Sequence, residues 1–226
     1  MTDADLLARI LPRARWPRLE PDRLALLVID LQQLCAAPGR GMFATAEQLG
    51  HPEALAPYRH RLERVVLPNV IALIDACRDV EIPVVYTRIE SRTPDGSERS
   101  ACHRALGLHV PPGHDDGRIL PVIEPLPGEV IVSKTTSDAF IGTDLRTVLA
   151  ERGVRHLAVV GVLTNECVES TVRHAADLDL TVHLVEDGCA AVHPAWHDAS
   201  IRTLGQTYAR VIDTSQLLAA IDPMAS

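Results

Sequence analysis

Aromatic residues make up only 3% of this 226-residue chain. The core must then be built from Val, Leu, Ile and Ala, a composition that suits a parallel sheet covered by helices on both faces. No CxxC pair occurs, which sets aside a four-cysteine zinc site. The five cysteines are odd in number and widely spaced, unlike a disulfide framework, and predict a reducing, cytoplasmic setting. No run of Lys or Arg stands out and the formal net charge is −8, so neither a nucleic acid nor an anionic membrane is an expected partner. The opening Met1-Thr2-Asp3-Ala4-Asp5 is acidic and is followed by no long apolar run, which predicts neither a signal peptide nor a membrane span. The length suits one α/β domain over 1–226, with 1–21 as an N-terminal extension. That extension, which carries Trp16, packs on a neighbouring subunit or frays.

Several short apolar runs are present. Residues 24–29 (LALLVI), ending in Asp30, predict the first buried strand. Residues 83–87, 130–133, 157–160, 181–185 and 210–212 predict five more. Helical apolar spacing runs from Tyr58 to Val80, where Pro68 should kink or split the helix. Thr143 suits the N-cap of a helix ending near Gly153, and Thr214 or Ser215 that of a last short helix. Strands alternating with helices argue for βαβ units and a parallel sheet. Residues 88–118 are polar and rich in Pro and Gly, too long for a mere connection, and predict a functional excursion or lid. His103, His109 and His114 lie in it at no zinc-motif spacing and are expected to be solvated.

Three reactive side chains follow three of the predicted strands: Asp30, Lys134 and Cys167. Ligands of open α/β sheets bind beyond the carboxyl ends of the strands. Each residue alone has a plainer use, as a turn residue, a solvated Lys or a core Cys; the combination is what points to chemistry. Cys167 stands where the strand 157–160 gives way to a helix. Helix N-termini favour anions and the thiolate is the nucleophile, so both that position and a cationic neighbour are expected to lower the thiol pKa.

The segments Ala25–Gln32, Lys134–Leu145, Gly161–Val168 with Thr171 and Arg173-His174-Ala175, and Val185–Ala190 together resemble the isochorismatase-like cysteine hydrolases, over about residues 22–213. The resemblance implies a three-layer α/β/α, Rossmann-like fold with six parallel strands in the order 3-2-1-4-5-6. It implies Asp30 as general base, Lys134 as stabiliser of the thiolate and Cys167 as nucleophile. It also implies a cis peptide at Val162–Leu163, with the backbone N–H groups of Leu163 and Cys167 as an oxyanion hole. Family members are commonly dimers or tetramers, so a homodimer or homotetramer is implied here.

Nicotinamidases of this superfamily carry an Asp-x-His metal site after the second strand. Here residues 86–92 read YTRIESR, so the implied chemistry uses no metal or other cofactor. Isochorismatases proper lack the catalytic cysteine. The segments 104–113 and 164–170 look most like members that cleave ureides. The implied partner is therefore a small ureide of the biuret, triuret or ureidoacrylate type. The alternatives are a carboxylated amide of the maleamate or N-carbamoylsarcosine type, or a binding or redox protein that keeps the fold.

Candidate substrate contacts are less determined. Gln32 orients Lys134, bonds substrate or is a surface residue. Arg88 and Glu90 either meet substrate, an Arg gripping a carboxylate or ureide oxygen, or form a surface ion pair. Phe140 walls the pocket or packs in the core. Asn165 contacts substrate or caps the helix. Cys189 packs behind the sheet or pairs with Cys167 in redox chemistry.

Overall fold

The computed structural model describes residue 10 and residues 14–222. Most of the N-terminal extension lies outside the described residues; within it, Trp16 is half-buried and Leu19 is buried. Six parallel strands form one sheet in the order β3-β2-β1-β4-β5-β6. They are β1 (Leu24–Ile29), β2 (Val84–Ile89), β3 (Val130–Lys134), β4 (His156–Val162), β5 (Thr181–Ala190) and β6 (Arg210–Ile212). The helices are α1 (Gln33–Ala36), α2 (Gly41–Gln48), α3 (Ala56–Arg61), α4 (Leu67–Asp79), α5 (Ala101–Ala105), α6 (Leu145–Glu151), α7 (Glu169–Asp177), α8 (Pro194–Thr207) and α9 (Thr214–Ile221).

Every residue of β1 and β4 is buried, as continuous apolar strands at the centre of a doubly covered sheet should be. The edge strands β3 and β6 keep exposed positions at Ile131 and Arg210. Parallel strands need right-handed crossovers. The chain therefore steps outward from β1 to β3 with connections over one face, then returns to β4 and proceeds to β6 over the other. α4 packs with α9, and α7 with α8.

One local expectation is met with an added detail, and two change. Pro68 lies in the first turn of α4, and the break falls just before it, as a π-helical segment at Leu62–Val66 joining α3 to α4. Pro has no N–H to close the preceding turn, and the wider ring absorbs the mismatch. The N-cap of α6 is Asp144, one residue beyond Thr143, whose hydroxyl accepts the Leu145 N–H at 3.3 Å. α9 is capped by Asp213 in a reciprocal box with Gln216, because a carboxylate one residue earlier reaches the N3 N–H.

The excursion 88–118 is tied down. Ser91 N donates to Val110 O, Gln33 N to Arg118 O, and Ser100 N to Thr135 O. It thus lies across the ends of β1, β2 and β3.

β1 and β4 approach closely at Gly161, which pairs with Ile29 and has φ +124°. A Cβ there would stand 2.0 Å from the Ile29 carbonyl oxygen and 2.7 Å from its nitrogen. Both obstacles are backbone, so they cannot swing aside. Gly161→Ala should cost on the order of 3 kcal/mol in stability. Urea unfolding followed by circular dichroism checks this, and an unchanged midpoint would contradict the close approach.

Candidate active site

Strand order assembles the site. β1 lies between β2 and β4, and Ile29 is in register with Thr87 on one side and Gly161 on the other. Asp30, one residue beyond β1, has φ +52°, a left-handed turn that Asp tolerates better than most residues. Its Oδ1 accepts the Thr87 hydroxyl at 2.7 Å. Lys134 ends β3 and reaches across β2, bringing its Nζ to 2.8 Å from Asp30 Oδ2. The contact is a buried ion pair at the separation of a charge-assisted hydrogen bond. The same ammonium donates to Cys167 Sγ at 3.3 Å and to Thr136 O at 3.0 Å. Asp30, Lys134 and Cys167 are 0%, 1% and 5% exposed. One cation thus holds the acid and the thiol together out of water.

Cys167 lies in a π-helical turn, Thr164–Val168, that runs into α7. Such turns recur at functional sites because the widened ring re-aims side chains. The peptide Val162–Leu163 just before it is cis. The turn is anchored from behind. Arg61 donates to Cys189 O, Glu186 O and His197 Nε2, each at 2.9 Å. Since guanidinium can only donate, Nε2 accepts and Nδ1 carries the proton, which points at Thr164 Oγ1 at 2.9 Å. Ser200 of α8 also donates to Glu169 at the start of α7. The Arg61–His197–Thr164 chain was not legible in the sequence, because its members lie more than thirty residues apart on three elements.

The thiol differs from the expectation. Burial pushes Cys167 up to about 12; Lys134 pulls it down and Asp30 raises it again by charge and hydrogen bond. The resting group is the neutral thiol, because desolvation of the anion outweighs the cation beside it. Burial also opposes the charge on Lys134, but Asp30 and Cys167 outweigh it and the net shift is upward, so the ammonium persists.

The remaining residues fall into distinct settings. Gln32 is fully buried, its Nε2 donating to Ile89 O and Asp116 O and its Oε1 accepting Ile89 N. Gln32 therefore stitches β1, β2 and the excursion together. Arg88 pairs with Glu90 at 2.5 Å and donates to Ser133 Oγ, while Glu90 accepts Gly113 N. Alternation along β2 and β3 puts Arg88 and Ser133 on the face opposite Thr87 and Lys134. Phe140 packs against His174 at 5.2 Å and lines a cavity whose walls include none of the three reactive residues. Asn165 does not cap the turn, whose N-cap is Leu163, and its Oδ1 is buried without a partner. Cys189 is wholly buried in β5, in register with Gly161 of β4, its thiol pushed up to about 12 by burial. His103 is buried, contrary to expectation, because α5 turns it inward; His109 is half-buried and His114 exposed. Among the described residues, no group of three or more His, Cys, Asp and Glu is arranged to hold a metal ion. No described helix is long and apolar enough to cross a membrane.

The isochorismatase domain model matches residues 24–216. The chain belongs to the isochorismatase family. It is similar to Nicotinamidase 3 of Arabidopsis thaliana, with 31% identity over 69% of this chain and 79% of that protein. It is 28% identical to the ureidoacrylate amidohydrolase RutB of Rhizobium rhizogenes, over 78% of this chain and 74% of that one. A cysteine hydrolase from Pseudomonas syringae pv. phaseolicola superposes with a TM-score of 0.79 at 24% identity, covering 95% of this chain and 99% of that one, and so shares the fold. The protein is thus a hydrolase of the isochorismatase-like cysteine hydrolase superfamily.

The carboxylate and the ammonium beside the thiol give a test. Asp30→Asn removes the carboxylate that can accept the thiol proton, so iodoacetamide should alkylate Cys167 roughly tenfold or more slowly at neutral pH. Lys134→Met, which removes the cation that favours the thiolate, should slow it too. Alkylation rates against pH, read by mass spectrometry, check both, and an unchanged rate in either variant would contradict this arrangement.

Proposed function

We propose that this hydrolase cleaves a C–N bond of a small ureide or amide through a thioester on Cys167. The observation that carries the proposal is the buried contact of one carboxylate, one ammonium and one thiol. Asp30 takes the thiol proton as sulfur bonds to the substrate carbonyl carbon. Negative charge moves to the carbonyl oxygen, which the backbone N–H groups of Leu163 and Cys167 receive; each such donor is worth about 3 kcal/mol of barrier. The C–N bond then breaks and Asp30 returns its proton to the leaving nitrogen. A water molecule attacks the thioester and gives Asp30 a proton. The acid departs and the sulfur regains that proton. Lys134 remains an ammonium throughout.

The buried charges favour this route. Asp⁻, Lys⁺ and SH sum to zero, as do AspH, Lys⁺ and S⁻. Proton transfer therefore forms the nucleophile without changing the net charge of a water-poor site. A high resting thiol pKa is compatible with catalysis for this reason, since the base is built in.

A ureide of the biuret, triuret or ureidoacrylate type is the preferred substrate, supported by the similarity to a ureidoacrylate amidohydrolase.

Ammonia release should be measured on biuret, triuret, ureidoacrylate, maleamate, N-carbamoylsarcosine and nicotinamide. At least one ureide should turn over, and Cys167→Ala should lose at least about 10³-fold while abolishing the covalent adduct seen by mass spectrometry. Full turnover by Cys167→Ala, or none on any ureide, would overturn the corresponding part of the proposal.

A further inference from the structure

The excursion presents one group that the reaction scheme leaves unused. His103 sits in α5 and is 2% exposed. Its Nδ1 is buried and has no hydrogen-bond partner. Buried polar atoms are nearly always paired, and an unpaired one costs about 1–3 kcal/mol. An exception calls for an explanation, and a group that arrives from outside the chain is one.

The neighbourhood identifies that partner. α5 is fastened at its first turn to the residue that follows Lys134: Ser100 N donates to Thr135 O at 3.0 Å, and Thr135 Oγ1 reaches Glu98 O at 3.4 Å. Ser100 caps the helix by accepting His103 N, which fixes the backbone of that residue. The imidazole is held down to about 4, first by burial and then by the Lys134 ammonium, with Asp30 opposing and Arg99 adding to the depression. It is therefore neutral, and it shares an electrostatic environment with the reactive pair. Arg99 directs its Nε and Nη1 at the carbonyls of Gly96 and Leu108.

We propose that His103 is a specificity-determining residue whose Nδ1 hydrogen-bonds the uncharged far end of the substrate, the terminal –NH₂ of a ureide, while Cys167 attacks its carbonyl. A neutral imidazole offers one lone pair and one N–H, which match an amide group. It brings no charge to offset burial of a carboxylate. The inference rests on the proposed ureide chemistry and adds the residue that reads the substrate's distal group.

The test uses the full chain in two backgrounds. With the ureide that turns over best, His103→Leu should raise KM about tenfold or more, one buried hydrogen bond's worth, and change kcat much less. His103→Asn, which restores an amide donor and acceptor, should recover part of the loss. Iodoacetamide alkylation of Cys167 should proceed in both, reporting that the fold and the thiol survive. Calorimetry in the Cys167→Ala background should show the same weakening of ureide binding. An unchanged KM and unchanged binding in His103→Leu would overturn this role while leaving ureide hydrolysis intact. Failure of the Cys167→Ala protein with His103 intact to bind any ureide, with no turnover by wild type, would overturn the ureide reading and this role with it.

Discussion

The Lys134–Asp30 ion pair is the constraint to which the rest of the site answers. Burying either charge alone would cost several kcal/mol, and their attraction repays this only with good geometry and further hydrogen bonds. Both conditions are met. Thr87 takes one oxygen of Asp30, and Thr136 O and the Cys167 sulfur take the remaining donors of Lys134. Removing one member leaves a buried charge without its partner. The pair explains why β3, an edge strand, runs two residues past the level at which β1 ends, and why Thr87 occupies the strand between them.

The sheet supplies that alignment. Parallel strands present all their carboxyl ends to one side, so three residues that follow three strands converge without any special bend. The outward-then-return order makes β1 the neighbour of both β2 and β4. Gly161 permits a close approach on the nucleophile side, where any side chain would strike the backbone of Ile29. Behind the sheet, Arg61, His197 and Thr164 brace the turn that carries Cys167. A reactive thiol is then held by a rigid scaffold while the excursion, with His103 facing inward, closes the other side.

Neutral net charge links stability to chemistry. A proton that moves from sulfur to carboxylate redistributes charge around a fixed ammonium, and no ion has to be solvated anew. Burial raises the thiol pKa, yet it also strengthens every electrostatic contact in the site. The same dry environment raises the thiol pKa and, in the proposed mechanism, strengthens Asp30 as the base.

Much of this was legible in the sequence. Apolar runs ending in Asp30, in Lys134 and near Cys167 define the strands and their chemistry, because a run of consecutive apolar residues long enough for a doubly buried strand has few other uses. Helix caps came out one residue displaced at Thr143, since local preference does not distinguish adjacent cap candidates. The cation that lowers the thiol pKa was legible, while the burial that raises it more was not, because a nearby cation is visible in a sequence but depth of burial is not. Arg88 and Glu90 looked equally suited to a substrate or to each other, and only strand alternation set them against the face opposite Lys134. His103 read as a solvated loop residue until α5 turned it inward. Sequence alone determined where the strands lie and which candidate side chain stands near the end of each, since both depend on local pattern. The tertiary structure decided which of them meet, how dry the meeting place is and which polar atoms are left without partners, since those depend on strand order and on contacts between residues far apart in the chain.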